Sequence, residues 1–326
     1  LLGGCAKKAE FELRLAQFFP GTHPAETQFV QAWAKQVADA TGGRVKITSF
    51  PAETLLKAPD VYGGVVSGVA DLGLSCFAYT RGRFPVLEAF ELPGVTYLNS
   101  KAASMTAWEG IKTLNPAEVQ DTQLLMVIAT GPGDIFSKEP VTKLEDLKGL
   151  TIRATGLSAK SLLLLGAVPN AMAQSETYEA LSRGVVKANL SPIEVLKGWK
   201  HAEVVKNLTI TPFLYNTLFF VTMNKAKWNS MPEDIRTAIL KATDKFHRET
   251  AIGLWDSQNA AALSWATGQK GVKVHHLDAA ESARWIARIM PLQDAFTKMV
   301  KEKKLSDRDV MALVNQLAAK YNQEYK

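Results

Sequence analysis

Apolar and polar residues alternate along this chain in two successive series of strands and helices. Period-two alternation is typical of a half-buried strand, and apolar spacing of three and four residues is typical of an amphipathic helix. The first series predicts strands near 10–16, 45–50 and 70–74 and helices near 25–41 and 59–68. Strands that alternate with helices at this spacing predict a parallel sheet covered by helices.

A second series begins near residue 125. It predicts strands near 124–129, 150–155, 188–190 and 272–274, and helices near 158–166, 176–183 and 306–321. Because 326 residues exceed what one hydrophobic core usually organises, two domains are expected. We therefore expect an α/β protein of two-lobed, periplasmic-binding-protein architecture.

One long amphipathic segment lies between the lobes in sequence. Ser230 and Glu233 have the spacing of a capping box, and the apolar stripe then continues to about Gly268. We expect a single helix of some 36 residues, about 54 Å long, that braces both lobes. The resulting lobes are discontinuous: lobe I is 10–124 plus about 217–252, and lobe II is 125–216 plus about 253–326, with the ligand cleft between them.

The first residues resemble a lipoprotein processing site. Cys5 follows Leu1-Leu2-Gly3-Gly4, so residues 1–9 are expected to be a tether with Cys5 lipidated; a chance Gly-Gly-Cys is the alternative. Cys76 is the second of two cysteines, and with Cys5 acylated no intrachain disulfide is expected. The 38 basic and 32 acidic residues are mixed along the chain, so the net charge of +6 does not indicate nucleic acid.

The sequence carries few signs of catalysis. Its five histidines do not form a metal-binding motif, and neither a Cys-x-x-Cys nor a Gly-x-Ser-x-Gly pattern occurs. Residues 129–134 follow a strand and hint at a nucleotide loop, but Pro132 lacks the N–H that would face a phosphate. We predict a protein without catalytic residues, metal or cofactor.

Arg153 is the residue that points most clearly to a ligand. It interrupts the strand-like run 149–155, where a charge is costly to bury without a partner. Its planar guanidinium fits a carboxylate through two parallel hydrogen bonds. The alternative is a structural arginine paired with an internal aspartate or glutamate.

Ligands of open α/β sheets bind beyond the carboxyl ends of the strands. The residues expected there form an aromatic and apolar pocket with one anion anchor: Arg153, Phe19, His23, Phe77, Tyr79, Asp134, Phe136, Asn189, Ser191, Phe213, Tyr215 and Asn216. Asp134 could meet a ligand ammonium or cap a loop.

The chain beyond Glu10 resembles the solute-binding proteins of TRAP transporters. The motifs that carry the resemblance are His23-Pro24, 68–73, Phe84-Pro85, Leu92-Pro93, 149–153, Tyr178, 184–186 and 224–232. The resemblance implies that Arg153 forms a salt bridge with a substrate carboxylate. Many members carry a second arginine about 20 residues earlier, where this chain has Gly131-Pro132-Gly133-Asp134, and often Asn where it has Ser191.

These observations predict a periplasmic receptor that delivers a small organic acid to TRAP membrane subunits. The missing second cation favours a monocarboxylate with an apolar or aromatic body, an amino acid included. One alternative is a sensor or scavenging lipoprotein of the same fold. Another is an enzyme acting on a carboxylate, for which His23 and Cys76 are the candidate base and nucleophile.

Overall fold

A computed structural model of the protein describes residues 9–326, so Cys5 and most of the expected tether lie outside the described residues. The strands are β1 Phe11–Gln17, β2 Val45–Phe50, β3 Leu72–Cys76, β4 Thr122–Ala129, β5 Asp134–Ser137, β6 Thr151–Ala154, β7 Val168–Ala171, β8 Ala188–Ser191, β9 Asn207–Ile210, β10 Leu218–Asn224 and β11 Lys273–His276. The helices are α1 Gln31–Ala40, α2 Val61–Val66, α3 Ser100–Leu114, α4 Gly156–Leu164, α5 Gln174–Ser182, α6 Val195–Gly198, α7 Lys225–Asn229, α8 Glu233–Glu249, α9 Leu254–Lys270, α10 Ala279–Ile289, α11 Pro291–Glu302 and α12 Val310–Glu324.

These strands form two sheets, and the predicted α/β class is confirmed. The first sheet has the order β2-β1-β3-β10-β4, with β1 parallel to both β2 and β3. The second has the order β11-β9-β5-β8-β6-β7. It is mixed, because β5 runs antiparallel to β8 and β9 while β6 runs parallel to β7 and β8.

The chain divides into two compact units, each built from separate stretches of sequence. The first unit contains the described residues up to Ser75, together with Val119–Met126 and Phe220–Ala251. The second contains Cys76–Glu118, Val127–Phe219 and Ile252–Lys326. Residues 76–118 group with the second unit, whereas the predicted lobe I had included them.

Asp71 explains one of the sequence motifs of the first unit. Its carboxylate accepts hydrogen bonds from the Arg14 backbone N–H at 2.8 Å and from Arg14 Nε at 3.1 Å, which ties β3 to β1. Gly73 is needed beside it, since a Cβ there would lie 2.6 Å from Val61 Cγ1. The segment 68–73 therefore serves packing within this unit.

In the second unit, hydrophobic clusters cover both faces of the second sheet. Ile135 belongs to a cluster with Ile152, Leu190 and Trp285, while Phe136 belongs to another with Leu208. Successive strand residues face opposite sides, which is why neighbours in β5 join different clusters. The sheet is thus a rigid, two-sided support for any side chain it carries.

The predicted single long helix is wrong. Two helices, α8 and α9, are separated by a 3₁₀ turn at Ala251–Gly253, and Thr250 leaves the helical region with φ −129°. Each half packs within its own unit, α8 against α1 and α9 against α3 and α6. In the sequence, Glu249 and Gly253 break the apolar stripe at the point where α8 and α9 are separated.

The predicted capping box is also wrong. Ser230 Oγ donates to the Lys227 carbonyl at the end of α7, and α8 begins after Pro232 without a side-chain cap. The last helix, predicted near 306–321, runs from Val310 to Glu324, and the Asp309 side chain caps it by accepting from Ala312 N. Within residues 9–326, none of the helices combines the length and the apolar character needed to span a bilayer.

Candidate functional site

Arg153 lies on β6, inside the second sheet, and its side chain is only 1% exposed. The strand pairs Arg153 with Asn170 of β7 and with Asn189 of β8. Gly149 makes the turn that leads into β6 with φ +73°, a conformation that suits glycine. The residue that carries the guanidinium therefore lies in a strand that is paired on both sides, and not in a loop.

The strand register brings five of the predicted site residues to one face. Phe136 of β5 pairs with Asn189, which pairs in turn with Arg153, and Asp134 pairs with Ser191. Directly opposite residues project to the same side of a sheet, as do residues two apart in one strand. These five side chains consequently share the face that carries the Phe136 cluster.

The guanidinium donates to uncharged acceptors. Nε donates to the Met172 carbonyl at 3.1 Å, and Nη1 donates to Ser191 Oγ at 3.0 Å and Asn189 Oδ1 at 3.5 Å. Nη2 makes a long contact of 3.5 Å with Tyr79 Oη. Throughout residues 9–326, Arg153 has no salt bridge to a carboxylate, so the alternative of an internal acid finds no such partner. Within this part of the chain its buried charge is uncompensated.

The buried His201 ring lies within hydrogen-bond distance of two polar side chains near Arg153, Asn189 and Gln174. Its Nδ1 lies 3.2 Å from Asn189 Nδ2 and its Nε2 lies 3.1 Å from Gln174 Nε2. Burial, with a further contribution from the Arg153 charge, lowers the pKa of His201 to about 3, so the ring is neutral. Sequence reasoning missed this role, since nothing near His201 sets it apart from the other histidines.

Tyr79 and Cys76 lie beside the guanidinium at the end of β3. Tyr79 Oη accepts from Gln174 N at 3.0 Å and hydrogen-bonds the Cys76 thiol. Burial raises the pKa of both groups well above their usual values, despite the opposing effect of Arg153. Cys76 is therefore a protonated thiol at neutral pH, which does not support its use as a nucleophile.

Asp134 anchors a neighbouring backbone segment. Its Oδ1 accepts a 2.6 Å hydrogen bond from Thr211 N. Burial raises the pKa of Asp134 to about 7, and that hydrogen bond opposes the rise. This contact agrees with the loop-capping role; pairing of Asp134 with a ligand ammonium stays a prediction.

The segment Phe213–Asn216 is held by the turn that follows β4. Gly133 N donates to the Tyr215 carbonyl at 3.1 Å, and a Cβ on Gly133 would lie 2.3 Å from the Tyr215 ring. Phe213 packs edge-on against Trp285. Asn216 donates to the Phe90 carbonyl at 3.0 Å, while its buried Oδ1 has no partner among the residues described.

Phe19 and His23 belong to the first unit. The Phe19 ring packs against Phe18 and His23 at centroid distances of 4.2 and 4.8 Å. His23 Nδ1 accepts from Ala25 N, and both predicted site residues are buried. Their participation in ligand binding stays a prediction.

A cavity of about 320 Å³ lies wholly within the second unit. Its lining is mostly apolar and includes Phe77, Ala78, Phe84, Leu87, Gly156 and Leu157. Glu91 lines it as well, and burial raises the pKa of this carboxyl group to about 8. Sequence reasoning missed Glu91, although an isolated charge in the apolar run Ala89–Pro93 is the kind of signal that singled out Arg153.

Comparison with known proteins places the chain in a family. The profile of DctP, bacterial extracellular solute-binding protein family 7, matches residues 15–299. The C4-dicarboxylate-binding periplasmic protein DctP of Rhodobacter capsulatus is 27% identical over 268 residues, which cover 80% of this chain and 79% of the relative.

Two solved structures show the same fold. A TRAP solute-binding protein from Rhodoferax ferrireducens T118, in complex with copurified benzoate, has a TM-score of 0.90 at 26% identity and covers 97% of this chain and 99% of its own. A marine metagenome TRAP solute-binding protein specific for aromatic acid ligands, in complex with 3-hydroxybenzoate, has a TM-score of 0.88 at 29% identity, with coverage of 98% and 100%. This chain therefore belongs to bacterial extracellular solute-binding protein family 7, the periplasmic solute-binding proteins of TRAP transporters.

Proposed function

We propose that this receptor binds a small monocarboxylate with an aromatic or apolar body through a salt bridge to Arg153. The observation that carries the proposal is the uncompensated charge of a guanidinium that is 1% exposed. A buried cation is stabilised by an anion with matching geometry, and a carboxylate offers two acceptor oxygens to one guanidinium edge. The ligand carboxylate would replace Tyr79 Oη, which lies 3.5 Å away, as the acceptor for Arg153 Nη2.

The surroundings of Arg153 favour one carboxylate over two. Asp134, on the same sheet face, brings an acid rather than a second cation, and Gly131–Gly133 supply no charged side chain. The Rhodobacter capsulatus relative is named for C4-dicarboxylates, whereas the two solved relatives hold benzoate and 3-hydroxybenzoate. These aromatic monocarboxylates are the ligand class that we assign to this chain.

The remaining polar groups suit orientation of the ligand. Ser191, Asn189 and Tyr79 surround the guanidinium, and Asn216 Oδ1 offers a buried acceptor. Burial raises the pKa of Tyr79 and of the Cys76 thiol, which does not favour either as a base or nucleophile, and the family consists of solute-binding proteins. We therefore infer binding without turnover, and delivery of the acid to TRAP membrane subunits, with Cys5 as the point of a lipid anchor.

Replacing Arg153 tests the proposal directly. We expect Arg153→Ala to weaken benzoate binding by about two to four orders of magnitude, because breaking a buried ion pair costs about 3–5 kcal/mol. Titration calorimetry at pH 7 measures the affinity, and circular dichroism checks the fold. Arg183→Ala is the matched control, since the Arg183 side chain is 76% exposed and pairs with Glu179 four residues earlier. Benzoate affinity within threefold of wild type in Arg153→Ala would contradict the proposal.

A thermal-shift screen of candidate acids, carried out before the calorimetry, identifies the ligand class. Benzoate, 3-hydroxybenzoate, mandelate and succinate cover aromatic monocarboxylates and a dicarboxylate. A ligand at 1,000 times its dissociation constant stabilises the folded state by about 4 kcal/mol. We expect the aromatic acids to raise the melting temperature and succinate to leave it unchanged; the reverse order would assign the pocket to dicarboxylates.

A further inference from the structure

Glu91 presents one free carboxyl oxygen to the cavity of the second unit. Its Oε1 accepts a 2.6 Å hydrogen bond from Leu218 N, which fixes the side chain. Oε2 has no hydrogen-bond partner among residues 9–326. It faces Gly156: a Cβ on that glycine would lie 3.6 Å from Oε2 and 3.0 Å from Ala78 Cβ. The absence of a side chain at Gly156 thus keeps the space in front of Oε2 clear.

The rest of the cavity suits a flat apolar molecule. Aromatic and aliphatic side chains, including Phe77, Phe84 and Leu157, provide most of its walls. The other acid of the lining, Glu88, pairs with Lys160 at 3.4 Å and is partly exposed. A volume of about 320 Å³ falls at the lower end of the range for small-molecule pockets, which suits a single aromatic ring with small substituents.

The cavity and Arg153 are neighbours. Ala78 and Thr80 line the cavity, and Tyr79 between them contacts Arg153 Nη2. Ala171 also lines it and pairs with Ala154, the residue after Arg153. Arg153 lowers the pKa of the Cys76 thiol and of the Tyr215 hydroxyl, and Glu91 raises both when it is ionised, so the two residues act on the same groups.

We propose that Glu91 is a specificity-determining residue that donates a hydrogen bond from Oε2 to a hydroxyl or oxo oxygen on the aromatic body of the ligand. The inference rests on the proposed function, in which Arg153 holds the carboxylate of the same molecule. It narrows the ligand class to ring-oxygenated aromatic monocarboxylates. The receptor then recognises its ligand at both ends, by charge at Arg153 and by a neutral hydrogen bond at Glu91.

The surroundings keep Glu91 protonated at neutral pH. The groups that act on it or share its environment are Glu88 on its own helical turn, Cys76, Tyr97 and Tyr215, and none of these is a cation. Arg81 and Lys160 line the same cavity, and neither forms a salt bridge with Glu91 within the described chain. A carboxylic acid with a pKa of about 8 carries the proton it needs to act as a donor.

Titration calorimetry at pH 7 with benzoate, 3- and 4-hydroxybenzoate and 3-(aminomethyl)benzoate tests the inference. We expect at least one hydroxybenzoate to bind about tenfold more tightly than benzoate, the effect of one hydrogen bond to a buried group. Glu91→Gln keeps a donor and should keep that ratio, while Glu91→Met should reduce it to about one. Glu139→Gln, a change of the same chemistry at an exposed position of the second unit outside the cavity lining, should leave the ratio unchanged.

The outcomes separate the two proposals. Equal affinity of wild type for benzoate and both hydroxybenzoates, a ratio unchanged in Glu91→Met, or tightest binding of the ammonium-bearing compound would each overturn the role of Glu91. Should Glu91→Met not fold, Glu91→Ala, which also lacks a donor, takes its place and should likewise reduce the ratio to about one. Failure of benzoate itself to bind, or binding that ignores Arg153→Ala, would instead overturn the proposed function.

Discussion

The ionisable side chains near the cavity and the guanidinium of the second unit differ in charge, because one remains ionised and the others favour their neutral form. Arg153 carries a guanidinium cation, whereas desolvation raises the pKa of Glu91 to about 8 and of Asp134 to about 7 and lowers the pKa of His201 to about 3, which favours the neutral form of each group. The permanent charge of Arg153 is thus surrounded by groups that offer hydrogen bonds instead of counter-charges. At the residue scale, this difference supports the proposal that Arg153 pairs with the carboxylate of a bound ligand.

His201 gives a prediction at this scale. His201→Phe leaves the Asn189 and Gln174 amides without their buried partner, at about 1–3 kcal/mol for each unsatisfied group. We expect a loss of about 2–4 kcal/mol in unfolding free energy, measured by urea denaturation at pH 7. His276→Phe is the control, because His276 is an exposed residue of β11 and should change stability by less than about 0.5 kcal/mol. Equal effects of the two substitutions would remove His201 from the supporting network.

At the scale of elements, the turn after β4 has a packing role. The run 129–134 hinted at a nucleotide loop, yet its glycines are required for close approach of backbone and rings. A Cβ on Gly131 would lie 2.7 Å from Ser100 N at the start of α3, and Gly131 has φ +71°. The same turn carries Thr130, whose N–H donates to the Thr217 carbonyl. It therefore positions the segment that holds Tyr215 and Asn216.

Gly131→Ala should be more damaging than an ordinary glycine replacement. It combines left-handed strain of about 1–2 kcal/mol with a clash against backbone atoms that adds about 1–3 kcal/mol. Gly149→Ala is the matched control, since Gly149 has φ +73° and a Cβ on it would meet no described atom within 4 Å. We expect chemical denaturation to show a loss about 1–3 kcal/mol larger for Gly131→Ala. Similar losses in the two variants would mean that the contact with α3 relaxes freely.

Periodicity predicted only some of the elements whose pattern reports local burial, because the helices α3, α10 and α11 and the strand β10 were not predicted. The alternation in β1 and the apolar run in β4 were read correctly. The short strands β5, β7 and β9 were missed, because four residues carry little periodic signal and their pairing partners are distant in sequence. The break between α8 and α9 was missed although the apolar stripe is interrupted at Glu249 and Gly253, because the stripe does not show that the two helices pack in different units.

The same limit applies to the candidate site. Arg153 could be found from sequence, since a charge inside a strand-like run stands out from its neighbours. Its partnership with Ser191 and Asn189 depends on the order β8-β6, and the cavity at Glu91 depends on the close approach of Gly156 and Ala78. Both are consequences of topology and of packing distances, which sequence spacing does not contain.

At the scale of the whole molecule, the buried groups bias stability toward mildly acidic pH. Glu91 and Asp134 have folded-state pKa values of about 8 and about 7, raised from 4.5 and 3.8. A raised acid pKa gives stability that is complete below the unfolded pKa and is lost as pH rises to the folded pKa. His201, with its pKa lowered from 6.5 to about 3, acts in the opposite sense, since its contribution is present above pH 6.5 and is lost on acidification.

These directions predict a specific pH profile. Between pH 5 and 6.5, the gain in unfolding free energy that His201 gives with rising pH offsets the loss from one of the two acids. Above pH 6.5, only the two acids among these three groups still change the unfolding free energy. Unfolding free energy should therefore fall between pH 6.5 and 8, by roughly 1.4 kcal/mol per pH unit for each acid still titrating. Between pH 7 and 8 only Glu91 of these three groups remains, so Glu91→Gln should flatten this part of the urea-denaturation profile, while Glu139→Gln, at an exposed position, should leave its slope in place. All three titrating groups lie in the second unit, so the effect should appear in the transition of that unit. A wild-type profile that is flat or rises between pH 7 and 8 would show that Glu91 is already ionised in the folded protein, and its free oxygen could then only accept hydrogen bonds.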